Sequence, residues 1–577
     1  MTADTTDSVP TDVPAWRLWE NPLLRRHARS RLRPRDLALG QCITLVLSAF
    51  IVGISYSLGI RNDADPANAA RSAIIPLLLL QGFILFVMGT AQVSGGMITE
   101  RDEGGVDYQR LVPMAPLTKV VGYLFGLPLR EYLLAASSLP FTAWAMARGH
   151  VPASAWAPLY WVVFTTAVTY HATGLLTGTV VRNRRWAFLI SIGMVFSLYT
   201  VIPQLAKFGL VFFKYLTITP VFYESLPDLL SERSGAALRI GQQFFPTPRF
   251  FDLGLPEVVF TTLSQAGLIG LFVVMLCRRW RQEESHLLSQ FWAVGAYIAV
   301  QVVLLGHALP LIDPGDLFPS RNFRWFTSLG FDWKPDPREA LAMIAVYGLF
   351  STGLACVLAG IITPDRERQV RGWRRALKNG EDRLPPFGDT DSATLGTLVV
   401  SLAGGGGWYL FTRALLESRW FPGHHAGLEI LVVHCLILFA VTGSLQALLD
   451  AEGGRIVGMG LLFVGVLPLL AGAIIAGVDN DHLHLGIWVA GVSPLSLPAS
   501  APVALLSLAD SDALAVLPTR GAARFGWLVW GLVALWLTLR MRTRRGLLRR
   551  HILGDHSHAG RGAGGSGRAR PDAASEA

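Results

Sequence analysis

The sequence predicts an all-α, polytopic membrane protein with about twelve transmembrane helices, in two tandem six-helix halves with re-entrant outer segments. Three observations carry that expectation. The 577 residues are 51% hydrophobic and only 16% charged, with a mean hydropathy of +0.42, which a soluble chain of this size does not normally show. Apolar stretches long enough for a hydrocarbon core of about 30 Å recur from residue 38 to residue 541. They are continuous rather than alternating, so helices are expected and a β-barrel is not.

Taken in order, residues 1–36 read as a cytoplasmic tail ending in an amphipathic helix, 15–33, that lies on the inner leaflet. No cleavable leader is expected, because Met1 to Pro14 carries Asp4, Asp7 and Asp12 and lacks an apolar core. The first half, 37–280, holds spans near 38–60, 74–97, 119–147, 158–180, 186–204 and 258–277. The second half, 281–545, holds spans near 285–306, 338–362, 393–415, 428–449, 456–478 and 523–541. The tail 546–577, rich in Gly, Ala, Ser and Arg, reads as disordered. Each half ends in a long, partly apolar outer segment, 205–257 and 479–522, broken by Pro246 and Pro248 or by Pro494 and Pro498. Such segments are expected to dip into the membrane and return, shielded by surrounding helices. A duplication is suggested by ATGLL at 172–176 against VTGSL at 441–445, and by ITERDE at 98–103 against ITPDRE at 362–367.

Arginine placement sets the orientation, since short loops rich in Lys and Arg stay cytoplasmic. Arg25 to Arg35 precede the first span, Arg182, Arg184 and Arg185 follow the fourth, and Arg278, Arg279 and Arg281 follow the sixth. Alternation puts Arg366 to Lys378, Arg455 and Arg540 to Arg550 on that same side. A multi-pass protein of the inner (plasma) membrane of a bacterium, with both termini cytoplasmic, is therefore expected. The net charge of +9 does not point to nucleic acid, because these arginines sit at span ends, where topology and membrane lipid account for them.

The most informative stretch is 98–123, a charged, turn-rich segment between two spans. Glu100, Arg101, Asp102 and Glu103 crowd a helix end, Gly104 and Gly105 permit a sharp reorientation, and Val106 to Val112 suits a short amphipathic turn stopped by Pro113 and Pro116. Ionisable groups inside spans are costly, which singles out His171 and His434, each shortly before a Thr-Gly pair. The favoured reading is a neutral histidine bonded to a neighbouring helix, with Gly174, Gly178 and Gly443 serving helix packing and a proton relay as the rival. Arg130 and Glu131 read as a structural ion pair or a snorkelling arginine, and Gly404 to Gly407 as close helix packing or a kink. Cys42, Cys277, Cys356 and Cys435 fall singly, so neither disulfide nor metal pair is expected. Asp479, Asp481, His482 and His484 read more simply as a polar loop than as a metal site, and His424 and His425 no differently.

The first half resembles the permease subunit of type 2 ATP-binding cassette (ABC) exporters. The residues that carry the resemblance are Asn21-Pro22-Leu23-Leu24-Arg25-Arg26, Ile98-Thr99-Glu100-Arg101-Asp102-Glu103-Gly104-Gly105, Pro113-Met114-Ala115-Pro116-Leu117 with Gly122, and Gly174-Leu175-Leu176. It covers roughly 15–280. The loop Pro364 to Thr390 keeps acids in the corresponding place but lacks the double glycine and is strongly basic. The resemblance implies a translocation pathway without its own engine: no catalytic residue and no cofactor in this chain, and a separate ABC ATPase subunit as partner. That agrees with the absence of any GxxxxGK[ST] motif from the sequence. Glu100, Arg101, Asp102, Glu103, Gly104, Gly105, Val106, Tyr108 and Leu111 would receive the ATPase's push, with Asp365, Arg366 and Glu367 as a second coupling loop. A homodimer or pairing with a second permease stays open beside a pore built from one chain. Two rival classes are a secondary transporter and a membrane enzyme acting on lipid-linked substrates through the outer loop 307–337, which carries Asp313, Asp316, Arg321, Arg324 and Asp332.

Overall fold

The computed structural model describes residues 14–62, 65–181, 195–230, 249–281, 285–318, 334–381, 394–421, 426–452, 461–478, 483–493 and 520–563, with scattered positions between them. The fold is all-α. Apart from one two-residue antiparallel pairing, Arg249–Phe250 with Leu253–Gly254, the regular structure among the described residues is helical. Among the described residues, seven helices are long and apolar enough to cross a bilayer, which makes this a multi-pass membrane protein. The chain divides into two compact units, residues 1–287 with 302–343 and 418–420, and residues 288–301 with 344–417 and 421–577.

In the first unit the chain enters through α1 (Pro22–Arg31), with Pro22 at the first helical position, where a missing N–H costs nothing. α2 (Pro34–Arg61) is 28 residues, about 42 Å. Its outward Leu39, Ile43, Val46 and Phe50 are exposed, as lipid-facing residues of a span are. After α3 (Pro66–Arg71), one long rod runs from α4 (Ile74–Gly82) through a π-helical turn, Phe83–Met88, into α5 (Gly89–Asp102). Then come α6 (Gly105–Leu111), α7 (Pro116–Gly126), α8 (Leu129–Arg148) and α9 (Ala153–Val180). The span expected over 119–147 is divided, because Pro128 lacks an N–H and Leu127 ends α7 by bonding back to Tyr123.

α9 is the axis of this unit, buried along almost every turn from Leu159 to Gly178 and packed against α5, α7, α10 (Thr219–Leu229) and α11 (Glu257–Arg281). Its threonines satisfy their own hydroxyls, Thr169, Thr173 and Thr177 each donating to the carbonyl one turn back at 2.8–2.9 Å. Amide side chains then tie the helices. Gln265 bonds Thr166 and Thr165 at 2.8 and 2.6 Å, and Gln81 bonds Ser138, Thr142 and Tyr160 at 2.7–2.9 Å. α10, about 16 Å long, is too short to cross the hydrocarbon. Residues 231–248 of the outer segment, including Pro246 and Pro248, lie outside the described residues, and of the span expected at 186–204 the described part ends in a π-helical turn, Ser197–Val201, and one short α-helical turn, Ile202–Leu205.

The helix α12 (Gln290–Ala308) gives residues 290–301 to the second unit, and α13 (Pro337–Ile362) gives residues from 344 onward. α14 (Arg366–Lys378), α15 (Thr394–Leu416), α16 (Leu428–Glu452), α17 (Leu467–Val478), α18 (Leu483–Gly491) and α19 (Arg520–Ala563) complete it. The glycine run in α15 lets that helix approach a polar ring. A Cβ on Gly404 would collide with the Tyr297 hydroxyl, and one on Gly407 would stand 2.5 Å from the Gln301 amide. Tyr297 and Gln301 both bond Ser351, and Tyr347 donates to Gln301 at 2.8 Å. α18 packs back along α17, and at about 14 Å it is too short to span. Pro494, Pro498 and most of the segment after them lie outside the described residues. The region read as a second coupling loop is largely the 13-residue helix α14, because Gly372 lets it seat on Thr390 and Gln369 caps back onto the Pro364 carbonyl at 3.1 Å.

Candidate functional site

The charged stretch 98–123 folds as a crest at one end of the first unit. α5 stops in the sequence Glu103-Gly104: the Gly104 amide bonds the Arg101 carbonyl, and Gly104 takes φ of +74°, left-handed backbone that a β-carbon would strain. Gly105 is constrained by proximity, since a Cβ there would stand 2.6 Å from Oε2 of Glu100. These two glycines let α6 begin directly against the acid that ends α5.

Beneath the crest lies a buried frame. Asn21 caps α1, accepting from the amides of Leu23 and Leu24 at 3.0 and 3.4 Å, and donates across to the Thr118 carbonyl of α7 at 2.8 Å. Gly122 keeps the space for this contact, its missing Cβ lying 2.8 Å from Asn21. Lys119, only 4% exposed, turns its ammonium back to the carbonyls of Gln109 and Val112, closing the end of α6 onto α7. Tyr123 is sandwiched by His27 and Trp280, with ring centroids 5.1 and 5.2 Å away. Burial, reinforced by Arg26 and Arg31, lowers the His27 pKa to about 4, so this imidazole is neutral at pH 7.

The charges divide by role. Glu100 accepts from Arg26 at 2.9 Å and from Tyr123 at 3.4 Å, which binds the end of α5 to α1 and α7. Arg101 reaches the Val181 carbonyl at 2.7 Å and Gly178 at 3.4 Å, tying α5 to the end of α9. Asp102 pairs with Arg101 at 3.2 Å and Asp107 with Arg110. Glu103 is exposed and has no ion pair among the described residues. Carboxylates at a helix C-terminus oppose the helix dipole, so local stability does not explain Asp102 and Glu103 there. Val106 is buried and anchors α6, whereas Tyr108 is 67% exposed and Leu111 84% exposed. Met97, Arg101, Val106, Asp107, Arg110, Thr179, Arg279 and Trp280 line a small cleft of about 70 Å³ behind α6. The ends of α5, α9 and α11 therefore meet at one end of the unit, around Met97, Thr179 and Arg279.

Other expected residues fall elsewhere. His171 is fully buried and engaged on both nitrogens: Nε2–H donates to the Leu85 carbonyl at 2.9 Å, in the π-helical turn, so Nδ1 accepts from the Tyr132 hydroxyl at 2.8 Å. Gly174 and Gly178 sit where α9 meets α5, with missing Cβ atoms 2.9 Å from the Thr90 carbonyl and 2.8 Å from Met97. His434 has no hydrogen-bond partner among the described residues and stacks on Trp408 at 4.2 Å. Gly443 is buried, and among the described residues no atom lies within 4 Å of where its Cβ would stand. Arg130 pairs with the buried Glu131 at 2.9 Å. On α14, Asp365 and Glu367 pair with Arg368 and Arg371, at 4.0 and 2.6 Å, and Arg366 is exposed. Asn21, Lys119 and Trp280 were not singled out in the sequence as parts of this site; a polar residue before Pro22 and a lysine inside an apolar run were the available signals.

No group of three His, Cys, Asp or Glu among the described residues is placed to hold a metal. Asp479, Asp481 and His482 lie outside them, as do His424, His425, Arg321, Arg324 and Asp332. The larger cleft, about 290 Å³ between α8 and α9, is lined by Leu139, Met146, Trp156, Tyr160 and their neighbours and offers no acid or base.

Residues 22–234 match the family described as ABC-2 type transporter. No curated protein and no solved structure matches the chain.

Proposed function

We propose, starting from the ABC-2 membrane domain that the first half of this chain carries, that the protein is the permease of an export system whose ATP hydrolysis takes place in a separate subunit. The membrane component of an ABC transporter is a transport element and not itself catalytic. What supports the finer reading is the crest. It pairs a rigid, buried frame with an outward face of Glu103, Tyr108 and Leu111 that the fold does not use. Exposed apolar side chains rimmed by acids mark a protein contact. A partner surface with a basic rim and an apolar groove fits them.

The mechanism follows from the ties beneath the face. A push on α6 is carried by Val106 and by Lys119 into α7, by Glu100 through Arg26 into α1, and by Arg101 into the end of α9. α9 is the buried axis of its unit, so displacing its end moves the helices packed on it. The chain is read as lying in a bacterial inner membrane with both termini cytoplasmic, which places the crest in the cytoplasm. The test is co-purification of the ATPase with the tagged chain. Tyr108→Ala/Leu111→Ala should lose the ATPase while membrane insertion and thermal stability stay unchanged; retained association refutes the crest as the contact.

A further inference from the structure

The structure joins two basic runs that the sequence keeps more than 160 residues apart. α14 carries five arginines and one lysine against one glutamate, and it begins four residues after α13 ends at Ile362. α19 turns from an apolar face, with Leu528, Leu532, Leu535, Trp536 and Leu539 exposed, into six arginines between Arg540 and Arg550. The Arg540 guanidinium lies over Trp536 at 5.3 Å, an arrangement suited to the membrane–water boundary. The helices pack together, with the Arg549 guanidinium over the Trp373 ring at 5.3 Å. Asp365 and Glu367 are paired on α14, which leaves Arg374, Arg375 and Lys378 exposed beside Arg542, Arg544 and Arg550.

We propose that this joined face of α14 and α19 binds anionic phospholipid headgroups at the cytoplasmic leaflet. Three features favour lipid over an acidic protein. α14 starts just past the end of α13, the basic part of α19 starts where its apolar part ends at Leu539, and Arg549 lies at most about 14 Å along α19 from Arg540, within reach of a headgroup layer and its ionic atmosphere. Leu547 is 63% exposed among the arginines, an apolar residue suited to the acyl boundary. Exposed Leu535, Trp536 and Leu539 lead directly into exposed Arg540 and Arg542 on α19. Clustered Lys and Arg just cytoplasmic of a span act additively on anionic lipid, and here two such clusters act at one place.

The full chain, purified in mixed micelles of equal phosphatidylglycerol and phosphatidylcholine, is examined by native mass spectrometry. Wild type should retain phosphatidylglycerol in preference. Arg374→Gln/Arg375→Gln/Lys378→Gln/Arg544→Gln should lower the ratio of retained phosphatidylglycerol to phosphatidylcholine at least fivefold, and Arg61→Gln/Arg148→Gln, exposed arginines at the far ends of α2 and α8, should leave it unchanged. An unchanged ratio in the quadruple variant, or an equal fall in the control, overturns the proposal. So does loss of a co-purifying acidic protein with the lipid ratio unaltered. Should the quadruple variant not fold, wild type decides: phosphatidylglycerol released as salt rises from about 0.1 to about 1 M supports the site, and salt-insensitive retention overturns it.

Discussion

Replacing Asn21 by alanine should undock α1 from the crest. The side chain is 1% exposed and does two jobs: its Oδ1 caps α1, and its amide donates to the Thr118 carbonyl at 2.8 Å. Loss of an N-cap costs about 1 kcal/mol, and loss of one buried hydrogen bond about 1 kcal/mol more. Together, about 2 kcal/mol corresponds to a roughly 30-fold rise in the undocked population. Hydrogen exchange of the α1 amides in purified protein reads this directly, with protection of Leu24 to Arg31 expected to fall by that factor. Asn21→Ser keeps the cap but is too short to reach Thr118, so it should lose only roughly fivefold. Because Arg26 carries α1 onto Glu100, Asn21→Ala should also weaken ATPase association. Unchanged α1 protection in Asn21→Ala, or equal damage from Ala and Ser, would refute the division of labour argued for this residue.

Lys119→Met should keep the volume but leave the Gln109 and Val112 carbonyls without their shared donor, raising exchange in α6 while α9 stays protected. Gly104→Val forces a β-branched residue into φ of +74° and should lower thermal stability by about 1–2 kcal/mol, read as a shift of the unfolding midpoint. His27 supplies a pH dependence. Its folded-state pKa, about 4, lies below the ordinary imidazole value of 6.5, so an undocked α1 takes up the proton first as pH falls. Docking is at full strength above pH 6.5, weakens from there to about pH 4 and is level below, and α1 exchange in His27→Gln should lose that slope.

The membrane class and the crest were legible because they rest on local chemistry: composition reports the solvent, and Glu103-Gly104-Gly105 can end a helix in few ways. The division at Leu127–Pro128 was harder to read, since a proline inside an apolar run can kink a span as readily as end a helix. Lys119 was equally opaque, for a lysine at a span end usually snorkels to water, and only the fold brings two free carbonyls to it. The basic run at 366–378 read as a loop because its helix depends on Thr390 and α19, partners distant in sequence. His171 could be read as a hydrogen-bonded histidine, but not its acceptor, because the Leu85 carbonyl is met through a π-helical turn that apolar sequence does not announce.

The most direct measurement is a cross-link from the tip of α6. With Cys42, Cys277, Cys356 and Cys435 replaced by serine, Leu111→Cys in native membranes is treated with a short cysteine-to-lysine cross-linker, and the adduct is sequenced. An ABC ATPase joined at Leu111, and not at Leu39→Cys on the lipid-facing side of α2, is the predicted result. Equal yields at the two positions, or an adduct at Leu111 with no ATPase in it, would contradict the account.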